Sequence, residues 1–295
     1  MPDIMANSSV GSSPQSGVSS RERSAGASDS AGLRPDRFDR DGQDQLVDVH
    51  DLQAALPGIR RLRTWAHDAL AVRPGESAVD IGSGTGSEAL VFADAVGPSG
   101  TAVGVEPDPG LLAAAERRAQ QHHSTAKFVS GDAYGLPFGS DTFDAALCER
   151  VFQHLTGPAR AAGEIARVLK PGGRVVVMDS DWGTAIVHPG DRHVVHEVIE
   201  TMIAGTTNPF AGRRLAGQLT AAGLVVDDIG SHALVQDTGV GAGALVTRIA
   251  EMAVARGAIT EQQRDQLLAD LAAGAASGDA HLSVTIFAVS AHKPA

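Results

Sequence analysis

The sequence predicts a doubly wound α/β domain, and three features carry that prediction. Residues Val79 to Leu90 read as strand, tight turn and helix start: apolar residues alternate with Asp80, glycines stand at 82, 84 and 86, and helix-compatible residues follow from Ser87. Apolar runs at Thr101–Val105, Ala145–Cys148 and Arg174–Met178 alternate with helical stretches, the order of βαβ units around a buried parallel sheet. Acidic or turn-forming residues close these runs, at Glu106-Pro107-Asp108, Glu149-Arg150 and Asp179-Ser180-Asp181. That is the edge where open α/β sheets bind ligands.

The glycine turn is the centre of the reading. Without a Cβ, Gly82, Gly84 and Gly86 accept unusual dihedrals and let a ligand approach backbone N–H groups, which the following helix N-terminus makes electropositive. A dinucleotide fingerprint G-x-G-x-x-G starting at Gly82 needs glycine at position 87, where Ser87 stands. The spacing here is G-x-G-x-G. In a chain with 34 glycines the pattern alone decides little, and the turn suits a carboxylate or a phosphate.

The 295 residues suffice for a sizeable core. No apolar run reaches the roughly 18 residues that cross a bilayer, and no signal-like start is seen, so a cytoplasmic protein without membrane contact is expected. A single cysteine, Cys148, excludes an internal disulfide and a multi-cysteine zinc site. The net charge of −11 repels polyanions, which argues against nucleic acid and for a small neutral or cationic substrate.

Residues 1–43 are rich in Ser, Gly and Ala at first and then polar, and are expected to be a disordered tail and linker; Leu33–Asp44 also has a reading as a lid. Residues 44–295 are expected to form one domain: N-terminal helices at 44–73, a ligand-binding core at 74–182, a cap insertion at 183–222 and a C-terminal part at 223–295. Leu46, Val49, Leu52 and Leu56, then Ile59, Leu62, Trp65, Ala66 and Leu70, recur at helical spacing. Trp65 is expected to pack and Arg63 to be solvated. Helices follow at Glu88–Val96 and Pro109–His122, and a strand at Lys127–Val129 leads to Gly131-Asp132-Ala133. Glu106, one βαβ unit after the glycine turn, stands where an acidic residue accepts two ribose hydroxyls. Asp132 could accept an adenine amino hydrogen, with the Ala133 N–H facing a ring nitrogen. A helix at Ala159–Leu169 precedes a turn at Lys170–Gly173.

The set Val79–Gly86, Val103–Asp108, Gly131–Asp132, Leu136–Asp144 and Leu169–Met178 resembles the class I S-adenosylmethionine-dependent methyltransferases, in particular the small-molecule branch with the ubiquinone and menaquinone C-methyltransferases. The resemblance covers about Leu62 to Asp181. It implies a Rossmann-like seven-stranded sheet, mostly parallel with an antiparallel last strand, helices on both faces and an inserted helical cap. It further implies S-adenosyl-L-methionine as cofactor, with Gly82, Ser83, Gly84, Thr85 and Gly86 beside its methionine part. Glu106 and Pro107 then border the ribose, Asp132 and Ala133 the adenine, and Cys148, Glu149 and Arg150 the remaining edge. Asp80 would tie the loop down or approach the methionine amino group. Ser83 stands where many members have cysteine, which leaves binding untouched.

Beyond Gly183 the resemblance fades. His193 and His196 share a helix face with Glu197 and Glu200. H-x-x-H is common by accident and lacks a third ligand here, so these are read as surface or cap histidines and no metal is assigned. A helix from Arg213 to Ala222, a strand from Leu224, helices at Ala244–Ala255 and Glu261–Ala273 with Thr260 as N-cap, and a closing strand at His281–Ser290 complete the chain.

Methyl transfer from a sulfonium is an in-line displacement in which the protein mainly positions the nucleophile and excludes water. His154, one turn past the fourth strand, is the first candidate base; Asp179, Asp181 and His188 follow. Asp179 and Asp181 also have the spacing of a magnesium pair, the less favoured reading. The expected function is methylation of a carbon or oxygen of a small, largely apolar metabolite by a monomer or homodimer, in the manner of secondary metabolism. The alternatives are a nicotinamide-dependent oxidoreductase, against which Ser87 and the lack of a Tyr-x-x-x-Lys pair speak, and a non-catalytic nucleoside-binding protein.

Overall fold

The computed structural model describes residue 47 and residues 50–236 and 240–295, with side chains in the last stretch from Leu245. The expected tail at 1–43 and the lid reading of Leu33–Asp44 lie outside these residues, as do Leu46 and Val49. Residues 50–55 are helical, and the chain continues into α1 (Pro57–Leu70). Pro57 at its first position lacks the N–H that a helix start leaves unpaired anyway.

The strands are β1 (Ser77–Ile81), β2 (Thr101–Glu106), β3 (Lys127–Ser130), β4 (Phe143–Glu149), β5 (Leu169–His188), β6 (Val225–Gln236) and β7 (His281–His292). They form one seven-stranded sheet in the order β3-β2-β1-β4-β5-β7-β6. The first five pair in parallel and β7 runs antiparallel to both β5 and β6. The helices are α2 (Ser87–Val96), α3 (Pro109–Gln121), α4 (Pro158–Val168), α5 (Arg192–Gly205), α6 (Ala211–Ala221), α7 (Val240–Ala255) and α8 (Glu261–Ser277). Thr260 caps α8 as expected, in a reciprocal box with Gln263.

Strand residues alternate between two cores. Val79, Ile81, Val105, Cys148 and Val177 face α4 and α6, where Ile165 and Leu215 pack; Ala78, Leu147, Val176 and Met178 face α1 and α2, against Leu62, Ala66 and Phe92. Both faces are covered, so the strands are apolar on both sides. A separate cluster of Val194, Val198, Ile249, Ala253 and Leu267 joins α5, α7 and α8.

One element differs from the sequence reading. The Lys170–Gly173 turn exists as extra residues within β5: Leu169 pairs with Phe143 and Arg174 with Ala145, with Gly172 at φ +76°. The strand then runs on past Asp181 to His188, so the insertion expected from Gly183 starts as strand, and its expected helical part with His193 and His196 follows as α5. The partner is β7, where Ile186 pairs with Ser283 and His188 with His281, and Thr184 Oγ1 accepts the Thr285 N–H at 2.8 Å.

Candidate functional site

The tips of β1, β2 and β3 are neighbours, since Ile81 pairs with Val105 and Glu106 with Ser130. The glycine turn leaves β1 with φ values of +73°, +51° and +84° at Gly82, Gly84 and Gly86, all in the left-handed region that a side chain disfavours. Its N–H groups are largely committed to the protein. Those of Gly82 and Ser83 donate to the Val105 carbonyl, that of Gly86 to Ser83, and that of Gly84 to Glu106 Oε2 at 2.9 Å. The Ser83 hydroxyl is buried against Gly104 with no partner among the described residues. Thr85 lies buried at the turn, its hydroxyl bonded to Arg118 and Asp51.

Four carboxylates ring this turn. Glu106 is 6% exposed and also accepts the Asp108 N–H through Oε1; burial raises its carboxyl and the two N–H donors partly offset this. Asp80, 3% exposed, accepts no hydrogen bond from any described residue; burial, then Glu88 and Glu149, push it well above the usual carboxylate range against the opposing Arg63. Glu88 and Glu149 belong to a buried chain of charges. Arg63 donates to both Glu149 oxygens at 2.7 and 3.2 Å and pairs with Glu88 at 2.8 Å, while His67 meets Glu88 at 2.7 Å and Arg150 meets Glu149 at 3.2 Å. Burial would raise Glu149, but Arg150 and Arg63 hold it below its ordinary value. Arg63 is therefore paired rather than solvated, whereas Trp65 packs as expected, over Gly230.

Past β3, Asp132 is exposed and its Oδ1 accepts the N–H groups of Tyr134 and Gly135, an Asx turn that leaves the outer oxygen uncommitted; Ala133 is buried and Pro107 exposed. Past β4, the Cys148 thiol packs into the core, and burial pushes it up. Arg150 adopts φ +56°, a strained conformation for a non-glycine residue, with its N–H on the Met178 carbonyl and its guanidinium on Glu149 and Gln53.

His154 ends a short 3-10 turn, Phe152–His154, and is reached by solvent. Surrounding protein, then the Arg150 charge, hold its imidazole below the ordinary value. Asp179 and Asp181, read as alternative bases, have other partners. Both are fully buried. Asp179 accepts the N–H groups of Gln153 at 3.0 Å and Ser180 at 2.7 Å, and Asn208 Nδ2 donates to the Phe152 carbonyl, so together they clamp the turn that carries His154. Asp181 is held bidentately by Arg213, which stacks on Phe210. His188 lies at the far end of β5, 3.7 Å from Asp279, and His193 is a surface side chain near Glu197. Among the described residues no three His, Cys, Asp or Glu side chains gather as a metal ion requires.

Burial raises Asp179 to about 7. Its folded value exceeds its unfolded one, so its contribution to stability is full below about pH 4 and is lost as pH rises to about 7. Asp179→Asn cannot titrate. Between pH 5 and 8 the parent chain is expected to lose about 3 kcal/mol more unfolding free energy than the variant, measured by urea denaturation at both pH values. Parallel losses would remove Asp179 as the titrating group.

Several residues of this edge escaped the sequence reading: His50, Asp51, Gln53, His67, Arg118 and Asn208. Arg63 and His67 are four apart on α1 and share a face, a local signal for a common partner. The others meet the site only through tertiary folding.

Residues 79–177 match the family model described as a methyltransferase domain. An uncharacterized methyltransferase of Schizosaccharomyces pombe is 34% identical over 173 residues, covering 55% of this chain and 61% of that one. The demethylmenaquinone methyltransferase of Thermus thermophilus is 34% identical over 119 residues, 40% of this chain and 54% of that one. The chain thus spans little more than half the length of these relatives. Among solved structures, the YcgJ protein of Bacillus subtilis aligns with TM-score 0.55 at 20% identity, covering 79% of this chain and 97% of that one, a likeness of fold.

Proposed function

From the match of residues 79–177 to a methyltransferase domain, we propose that the chain transfers a methyl group from S-adenosyl-L-methionine to a carbon or oxygen of a small acceptor. The charge around the glycine turn carries this reading. A phosphate needs unpaired N–H donors and positive charge, yet the N–H groups of Gly82, Ser83, Gly84 and Gly86 are taken. Asp80, Glu88, Glu106 and Glu149 surround the turn instead, and Asp80 is buried without a hydrogen bond from a described residue. A buried carboxylate in that state is costly until a donor or cation reaches it. An ammonium group supplies both, which fits the amino-acid end of the cofactor and opposes a pyrophosphate.

The site residues then take these roles. Asp80 receives the ammonium beside Gly82 and Gly84. Glu106 has lone pairs beyond those used by Gly84 and Asp108 and accepts two ribose hydroxyls. The outer Asp132 oxygen accepts the adenine amino group. When bound, the cofactor supplies an electrophilic methyl group on sulfur. His154, neutral at pH 7, takes the proton of an acidic acceptor as the methyl bond forms, and Asp179 and Asn208 position it. The cluster of α5 with α7 and α8 shapes an apolar acceptor pocket. No described helix is long and apolar enough to cross a membrane. We read the protein as cytoplasmic, acting on a small molecule rather than nucleic acid, as monomer or homodimer.

Thermal denaturation with added nucleosides tests the cofactor. A ligand at about 100 times its Kd adds about 2.7 kcal/mol, so S-adenosylmethionine and S-adenosylhomocysteine are expected to raise Tm by about 5–10 °C, and nicotinamide dinucleotides not at all. The opposite pattern would end this reading.

A further inference from the structure

A cavity of about 530 Å³ lies between α1 and the sheet, at the end away from the glycine turn. Arg174 on its rim pairs with Ala145, and Ala145 with Ala78 near the start of β1, whereas the turn leaves the other end of that strand. Asp228, Ser290 and His292 line the sheet side, and Trp65, Asp68 and Ala69 the helix side. Strand register sets the floor. Asp228 pairs with Ser290 and Ser290 with Val176, a residue of the core beneath α1, so the three side chains share that face. Trp65 lies over Gly230, where a Cβ would come within 3.3 Å of its ring, and with Ala69 it forms an apolar wall.

The two basic groups of the cavity are already paired. Arg174 donates to Glu76 at 2.6 and 3.2 Å and to the Leu70 carbonyl at 2.6 Å, and His292 meets Asp227 at 2.8 Å. Asp68 and Asp228 meet no cation among the described residues, and Asp228 gives one oxygen to the Ile229 N–H. Ser290 is 7% exposed, yet its hydroxyl has no hydrogen-bond partner among the described residues. A hydroxyl so withdrawn from water is costly until a polar group reaches it. Among the described residues no three acidic, His or Cys side chains converge as a metal ion requires, which favours a longer, organic cation. We propose that this cavity is a second ligand site, for a small aliphatic amine: ammonium groups pair with Asp68 and Asp228, the Ser290 hydroxyl accepts an N–H, and the carbon stem lies along Trp65 and Ala69. The volume falls within the range of about 300–1,000 Å³ usual for small-ligand pockets, and a net charge of −11 draws cations in.

Isothermal titration calorimetry of the full chain with 1,5-diaminopentane at low ionic strength tests the site. The parent is expected to bind with Kd of about 1 mM or below, while glutarate, an anion of similar length, gives no heat of binding. Asp68→Asn and Asp228→Asn are each expected to weaken the diamine about fivefold, and the two together about 20-fold. Ser290→Ala weakens it about fivefold as well. The unliganded Tm of the double variant should match the parent, because both carboxylates are exposed. Prior addition of S-adenosylhomocysteine should leave the diamine affinity unchanged, since the glycine turn lies at the other end of the sheet. Equal affinity in the parent and the double variant would mean adventitious pairing with an acidic surface and overturn the site. Competition by S-adenosylhomocysteine, equal binding of glutarate, or no binding of the diamine to the parent would overturn it too.

Discussion

Glu106→Ala is expected to abolish the rise in Tm that S-adenosylmethionine gives the parent chain, with affinity lowered by about 100-fold or more. A hydrogen bond to a charged acceptor contributes about 1.5–3 kcal/mol, and two ribose hydroxyls share this carboxylate. The same substitution strips the Gly84 and Asp108 N–H groups of their acceptor. The unliganded Tm therefore falls as well, and must be recorded beside the liganded one. Glu106→Gln keeps one carbonyl oxygen and should lie between. Calorimetric titration of both variants decides the matter, and parent-like affinity in the alanine variant would remove Glu106 from the ribose.

Arg63→Ala is expected to lower stability by about 3–5 kcal/mol, roughly 10 °C in Tm, because it leaves Glu88 and Glu149 buried without their shared cation. Asp80 loses the one charge that opposes its rise. Arg63→Lys should recover only part, since a single ammonium cannot span both Glu149 oxygens and reach Glu88 together. Differential scanning calorimetry of the three chains reads the effect. A drop below 1 kcal/mol in the alanine variant would mean that water enters and solvates these carboxylates.

What the sequence made legible follows from local rules. Apolar runs located the strands, and Thr260 marked a helix start, because neighbouring residues decide both. Glycines 82, 84 and 86 announced the turn for the same reason. The parts that stayed hidden depend on partners far along the chain. Asp181 looks like a free strand-end carboxylate until Arg213 arrives 32 residues later. Arg63 reads as solvated on an amphipathic helix, and only the packing of α1 against α2 brings Glu88 to it. The extension of β5 to His188 is written in β7, about 100 residues on, since Gly183–Val187 has no strong alternation of its own. His50, Asp51 and Gln53 carry no motif, and their contacts exist only where three remote segments meet.

The placement of β7 between β5 and β6 bears on how the polypeptide matures. Strands β1 to β5 can zip in parallel as they leave the ribosome, each beside one already made. β6 emerges next with its described sheet partner, β7, still some 45 residues from synthesis. Until β7 slides into the gap, two strands expose unpaired backbone groups, the arrangement that invites aggregation in a nascent protein. A chaperone would have its clearest task during that interval.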